Sequence, residues 1–169
     1  MNLNNTIIEL IKKVNKYSSA KVSLFTQYEI GNFDSPAQYN WKTNKIEISV
    51  DTLGDYFKFK CVVIHELRHI QQRLLINDYN NGKTVKDVNN DIDNWIENAK
   101  VENYVSDTNS IDYYTQPLEF DAYAFTEMIF ILDNEQQYNR QFVQLEFVDY
   151  KKSLINLAKR MIQTYKTTK

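Results

Sequence analysis

The sequence predicts an α+β fold: a helix-rich single domain with a small sheet packed beside one long apolar helix. Only three Gly and two Pro punctuate 169 residues, so long helices should dominate. Apolar residues recur at helical spacing in several stretches, whereas only two short runs alternate as strands do. A chain of this length buries about two-thirds of its unfolded surface, enough for one core without staples.

The elements follow in order. Over residues 3–17, Leu3, Ile7, Ile8, Leu10, Ile11 and Val14 share one face, which predicts an amphipathic helix. Residues 21–29 partly alternate and contain Val, Phe and Tyr, which predicts a strand; Gly31 to Pro36 reads as a loop. A turn at Lys42-Thr43-Asn44 leads into a second strand over 45–50, with Ile46, Ile48 and Val50 facing one way. Asp51 or Thr52 can cap a long helix over 55–76. A polar loop with Asn81-Gly82 fills 77–89, and a helix over 91–104 carries Ile92, Trp95, Ile96, Ala99 and Val101. The Tyr-rich stretch 105–116 has no period and reads as a loop. Pro117 suits the first turn of a helix over 118–132. Asp133-Asn134 weakens that helix, and a last helical pattern runs from about 138 to 166.

Composition narrows the function. The content is 43% hydrophobic and 25% charged, ordinary for a globular protein. The longest apolar runs, such as Cys61-Val62-Val63-Ile64, fall far short of the ~20 residues that span a bilayer. The first residues lack a signal-peptide pattern, and a single cysteine permits no internal disulfide. A cytoplasmic protein with no membrane partner is therefore expected. Twenty basic residues are scattered and matched by 22 acids, so no nucleic-acid partner is expected. The basic residues near the C-terminus (Lys151, Lys152, Lys159, Arg160, Lys166, Lys169) read as a solvated helix face.

The informative run is His65-Glu66-Leu67-Arg68-His69, an HExxH motif in the long helix. Four residues apart, His65 and His69 share a face and can hold one ion together. Glu66 is turned by about 100° from His65. It flanks the ion, where it can take a proton from an activated water and later deliver it to a leaving amine. The chain has only two histidines. Random placement of the chain's histidines and glutamates makes this motif roughly 0.07% of the time, which argues against coincidence.

A catalytic zinc ion commonly has three protein ligands and one open position. No third histidine exists, so Asp, Glu or Cys must complete the set. Cys61 lies one turn before His65, but three consecutive turns of a straight helix converge poorly on one ion, and core packing suits it better. The helix from Pro117 is the better source, because Glu119 and Asp121 interrupt a run of Leu, Phe, Ala and Tyr. An acid on an apolar helix is costly unless paired or metal-bound. Two roles fit Glu119: third ligand, or a carboxylate at the positive end of the helix dipole. Asp121 points about 200° away from Glu119 and can instead support a ligating histidine through its other ring nitrogen. Arg68 suits pairing with a nearby acid. With both histidines used, an oxyanion donor must be another side chain, and Tyr104, Tyr113, Tyr114 and Tyr123 are candidates.

The segments HELRHIQQ and PLEFDAYAF resemble the small gluzincin-type metallopeptidases, among them minigluzincins and ImmA/IrrE-like proteins. The resemblance covers roughly residues 40–130. It implies a zincin-like fold in which a later helix carries E-x-x-A-x-x-F/A, matched here by Glu119, Ala122 and Phe125. It also implies one Zn2+ per chain on His65, His69 and Glu119, a peptide or protein substrate, and a substrate-binding edge strand at Lys45–Val50. Two features depart from the family. Tyr123 stands where larger gluzincins carry Asp, and 50 residues separate His69 from Glu119.

The expected activity is zinc-dependent peptide hydrolysis with Glu66 as general base. The alternative is a catalytically silent, zincin-like binding or regulatory module, against which the intact Glu66 argues. A di-iron carboxylate protein would need a second E-x-x-H motif, for which no histidine remains. The loops 77–89 and 105–116 are expected to rim the cleft.

Overall fold

The computed structural model describes residues 2–133 and 148–168. It is α+β, with helices α1 (Leu3–Val14), α2 (Tyr56–Asn80), α3 (Ile92–Asn98), α4 (Ile111–Thr115), α5 (Pro117–Leu132) and α6 (Val148–Thr167). Three strands, β1 (Gln27–Gly31), β2 (Ala37–Asn40) and β3 (Lys45–Ser49), form a mixed sheet. The order is β1-β3-β2, with β1 parallel and β2 antiparallel to β3. No helix among the described residues is long and apolar enough to cross a membrane.

Helix α2 is the spine. Asp55 caps it by accepting the Lys58 N–H at 3.0 Å, not Asp51 or Thr52. Those two lie in a 3-10 turn over Val50–Thr52. Every residue from Cys61 to Gln72 is buried, because α2 is covered by α1, α3, α5 and the sheet. Helix α1 contributes Ile7, Leu10, Ile11 and Val14, the face its periodicity predicts. Helix α5 contributes Ala124, Phe125 and Met128, and α6 seals its outer side with Leu154, Ala158 and Met161. A smaller cluster gathers Leu75, Ile92 and Leu118 around Trp95. On α6, Lys152, Lys159, Arg160 and Lys166 are exposed, as a solvated face requires.

Several boundaries differ from the sequence reading. The first strand begins at Gln27, because residues 24–25 turn; the Thr26 N–H donates to Ser23 O at 3.0 Å. Val50 leaves the Ile46–Ile48 face for the 3-10 turn and is 41% exposed. Helix α2 continues to Asn80, and the third helix stops at Asn98. The short helix α4 lies inside the stretch that reads as a loop. The C-terminal helix is described from Val148; the expected residues 138–147 lie outside the described residues.

The largest difference concerns the sheet. The family resemblance implies an edge strand at Lys45–Val50, but β3 is central, with β1 on one side and β2 on the other. The edge beside α2 is β2, folded back on β3 by the turn at residues 41–44, where Asn44 adopts φ 56°. Asn is among the residues that tolerate this left-handed conformation.

Helix α6 packs its buried Leu154 against the core shared with α5. Leu154→Ala should cost about 2–5 kcal/mol of stability, whereas exposed Lys159→Ala should stay within about 0.5 kcal/mol. Denaturant unfolding of the two variants checks this.

Candidate metal centre

The predicted ligands converge. His65 and His69 lie one turn apart on α2, and Glu119 lies in the first turn of α5. His65 Nε2 is 3.1 Å from His69 Nε2 and 3.1 Å from Glu119 Oε2, and His69 Nε2 is 3.3 Å from Glu119 Oε1. All three residues are buried, and their donor atoms lie within 4.8 Å of one another. Ligands ~2.0–2.1 Å from one tetrahedral ion stand about 3.3 Å apart, so this spacing fits a metal centre.

The electrostatics agree. Two imidazole Nε2 atoms facing each other repel through their lone pairs unless a cation or a proton lies between them. Burial lowers the His69 pKa, but the Glu119 charge and hydrogen bond outweigh it and raise it to about 9. Burial raises the Glu119 carboxyl, yet His69 and His65 hold it well below the usual carboxylate range. The trio is thus a buried, charge-paired group that could hold a cation.

Glu66 is buried beside the trio but is not one of the converging donors. Its Oε2 accepts the Tyr39 N–H from β2 at 2.6 Å. Burial raises its pKa, as does Glu119, while the two histidines and the Tyr39 N–H pull it down; the net direction is up. A carboxylate shifted upward in this way is a better proton acceptor than a free one.

Behind the site, Arg68 is 0% exposed. Its Nε and Nη2 donate to Asp121 at 2.7 and 3.2 Å, and its Nη1 and Nη2 donate to Asp87 at 2.9 and 2.6 Å. The guanidinium also lies 4.4 Å from the Phe125 ring centre and 5.3 Å from that of Trp95. The expected pairing of Arg68 with acids holds. Asp121 is not a ligand and does not touch a histidine. It accepts from Arg68, from Asn89 Nδ2 at 2.8 Å and from Gln72 Nε2 at 2.7 Å. Cys61 is buried in the core cluster, as expected.

The tyrosines separate by position. Tyr104, from the segment after α3, donates its hydroxyl to Glu119 Oε1 at 2.8 Å. Tyr123 packs against His65 with ring centres 4.4 Å apart and planes tilted by 54°. Tyr114 packs against Tyr123 and Tyr150. Tyr113 lines both lobes of the cleft. Burial and the Glu119 charge raise the Tyr113 phenol, so it remains a hydroxyl donor.

The cleft runs along the β2 edge. Its larger lobe, about 580 Å³, borders His69, Glu119, Tyr39, Trp41, Val101 and Tyr104. Its smaller lobe, about 300 Å³, borders His65, Val62, Tyr114 and Tyr123. Glu66, Ala37 and Tyr113 belong to both. The expected rim at 105–116 is present, with Ser106, Thr108 and Tyr113. The 77–89 loop lines neither lobe; it serves the interior through Asp87.

Sequence reading missed Gln72 and the β2 edge. Two signals pointed to them. Gln72 stands three residues after His69, hence on the same helix face, and Ala37, Tyr39 and Trp41 alternate as a strand would. Comparison with known proteins returns no match among family models, curated proteins or solved structures.

The ion pair makes metal-free stability depend on pH. His69 has a folded pKa of about 9 against an unfolded value of about 6.5. Its contribution is therefore complete below the unfolded value and lost as pH rises through the folded one. Glu119 has a depressed folded pKa, so its contribution is present above the unfolded value and lost as pH falls through the folded one. Chelator-treated protein should lose stability between about pH 6.5 and pH 9. Denaturant midpoints across that range check this; a midpoint that climbs with pH contradicts it.

Proposed function

We propose that the protein is a zinc-dependent peptidase of the small gluzincin type. The observation that carries the reading is the buried His65, His69 and Glu119 trio opening onto a cleft that Glu66 and the outer edge of β2 share. Two imidazoles and a carboxylate are a donor set typical of catalytic zinc sites, leaving a position for water or substrate. A zinc ion bound there supplies Lewis acidity and lowers the pKa of a water.

The chain's own groups do the rest. Along β2, backbone groups alternate sides, and the Tyr39 N–H faces Glu66 rather than β3. With the Tyr39 N–H held by Glu66, the outward N–H and C=O of Ala37 and the C=O of Tyr39 are left to align an extended peptide by strand addition. Glu66, between the two lobes, accepts the proton of the attacking water and passes it to the leaving amine. Tyr113 lines both lobes, and its hydroxyl, which meets Tyr104, can turn to donate to the developing oxyanion. Tyr104 remains engaged with Glu119 and steadies that carboxylate. The larger lobe presents Tyr39, Trp41, Val101 and Leu118, a lining suited to bulky apolar side chains.

Purified protein should carry about one zinc per chain by mass spectrometry. Glu66→Gln should keep the metal and lose on the order of 10²–10⁴-fold in turnover. A proteome-derived peptide library read for new termini measures this; cleavage undiminished in Glu66→Gln, or no cleavage by zinc-loaded parent, sinks the reading. Tyr113→Phe should lower kcat on the order of a hundredfold while KM changes little. Steady-state kinetics on a peptide from that library check it.

A further inference from the structure

We propose that Gln72 is a positioning residue that fixes the tautomer and ring plane of His69, and that the Arg68–Asp121 ion pair fixes Gln72 in turn. The inference rests on the metal-binding reading of His65, His69 and Glu119 but not on catalysis. His69 Nδ1 is 2.7 Å from Gln72 Oε1. The Gln72 amide orientation is set independently. Its Nε2 has Leu118 O at 2.9 Å and Asp121 Oδ2 at 2.7 Å, two acceptors that require the NH2 group there. The carbonyl oxygen must then face His69, so His69 Nδ1 carries the proton and donates. Nε2, 3.1 Å from His65 Nε2 and 3.3 Å from Glu119 Oε1, is then the nitrogen left to bind an ion once its own proton is displaced.

Asp121 cannot turn away, because Arg68 grips both its oxygens and is itself held by Asp87. The relay therefore runs from the 81–91 loop through Arg68, Asp121 and Gln72 to His69, with every side chain in it buried. His65 has no such device: among the described residues its Nδ1 has no hydrogen-bond partner, and its ring packs against Tyr123 in a tilted contact. The group touching His69 is a neutral amide, with the carboxylate one step further back. An amide lends the imidazole less electron density than a carboxylate would, which leaves a bound ion more electrophilic.

The test compares the full chain with Gln72→Leu and with the double exchange Gln72→Glu plus Asp121→Asn, which swaps amide and carboxylate while keeping the net charge. Zinc affinity is measured by competition with a chromophoric chelator. The His69 Nδ1–H is observed by NMR in the zinc-loaded protein. In the parent that proton should be protected and shifted downfield. Gln72→Leu should lose the protected resonance and bind zinc 10–100-fold more weakly, in the order typical of such outer partners. The exchange should recover both the resonance and the affinity. In it, the introduced carboxylate accepts from His69 and from the introduced amide, whose oxygen keeps one of the two Arg68 hydrogen bonds; Leu118 O loses its donor, which costs stability but leaves the acceptor on His69 in place. Parent-like affinity in Gln72→Leu overturns the proposal, as does a folded exchange variant without the resonance. If Gln72→Leu fails to fold, the exchange alone decides. A parent that binds no zinc overturns the metal reading itself, and is distinguished because all three proteins are then equally silent.

Discussion

Arg68 carries its charge at zero exposure, and an unpaired guanidinium there would cost several kcal/mol. The protein answers with two carboxylates from distant segments, Asp87 before α3 and Asp121 on α5, each accepting two hydrogen bonds from it. Because a planar fork tolerates few arrangements, this pairing sets where the 81–91 loop and the start of α5 stand relative to α2. Glu119 lies two residues before Asp121, so the same constraint delivers it to the histidines. Packing alone could place α5 near α2; the ion-pair geometry holds it in one register.

The cleft side is built on a second constraint, the burial of Cys61–Gln72 on all faces. Polar groups in such a segment must find partners, and each polar residue there serves one part of the fold. Gln71 donates to Val14 O and Ala20 O at 3.2 and 3.3 Å and ties down the end of α1. Glu66 binds the β2 backbone, Arg68 binds the acids, and Gln72 joins His69 to Asp121. The trio and Glu66 differ in bordering open space, where α2 emerges beneath the sheet edge. A water-excluding wall on one side and a cleft on the other is the setting in which a charged site acts most strongly.

Much was legible in the sequence because its signals were local. The HExxH spacing depends only on helical pitch, so His65 and His69 share a face wherever the helix packs. Pro117 and the acids after it marked both the start of α5 and its candidate ligand, since burying Glu119 among apolar neighbours demanded a partner. The expectation for Arg68 followed from the same rule. The short elements were less legible. Strand β2 has four residues and α4 five, too few for a periodic pattern to stand out against turn residues.

The sequence by itself determined the α+β class, the main helices and the shared face of His65 and His69, and it narrowed the third candidate donor to an acid of the helix from Pro117, because these rest on periodicity and on the cost of burying charge. Tertiary structure alone decided three further things. It made β2 rather than β3 the edge beside the cleft, since pairing between strands is non-local and either could have flanked it. It assigned Asp121 to Arg68 and Gln72 instead of directly to a histidine, because Arg68 occupies the space behind the site. And it sorted the tyrosines, putting Tyr104 on Glu119, Tyr123 on His65 and Tyr113 between the lobes, a distinction that depends on where side chains from separate segments meet.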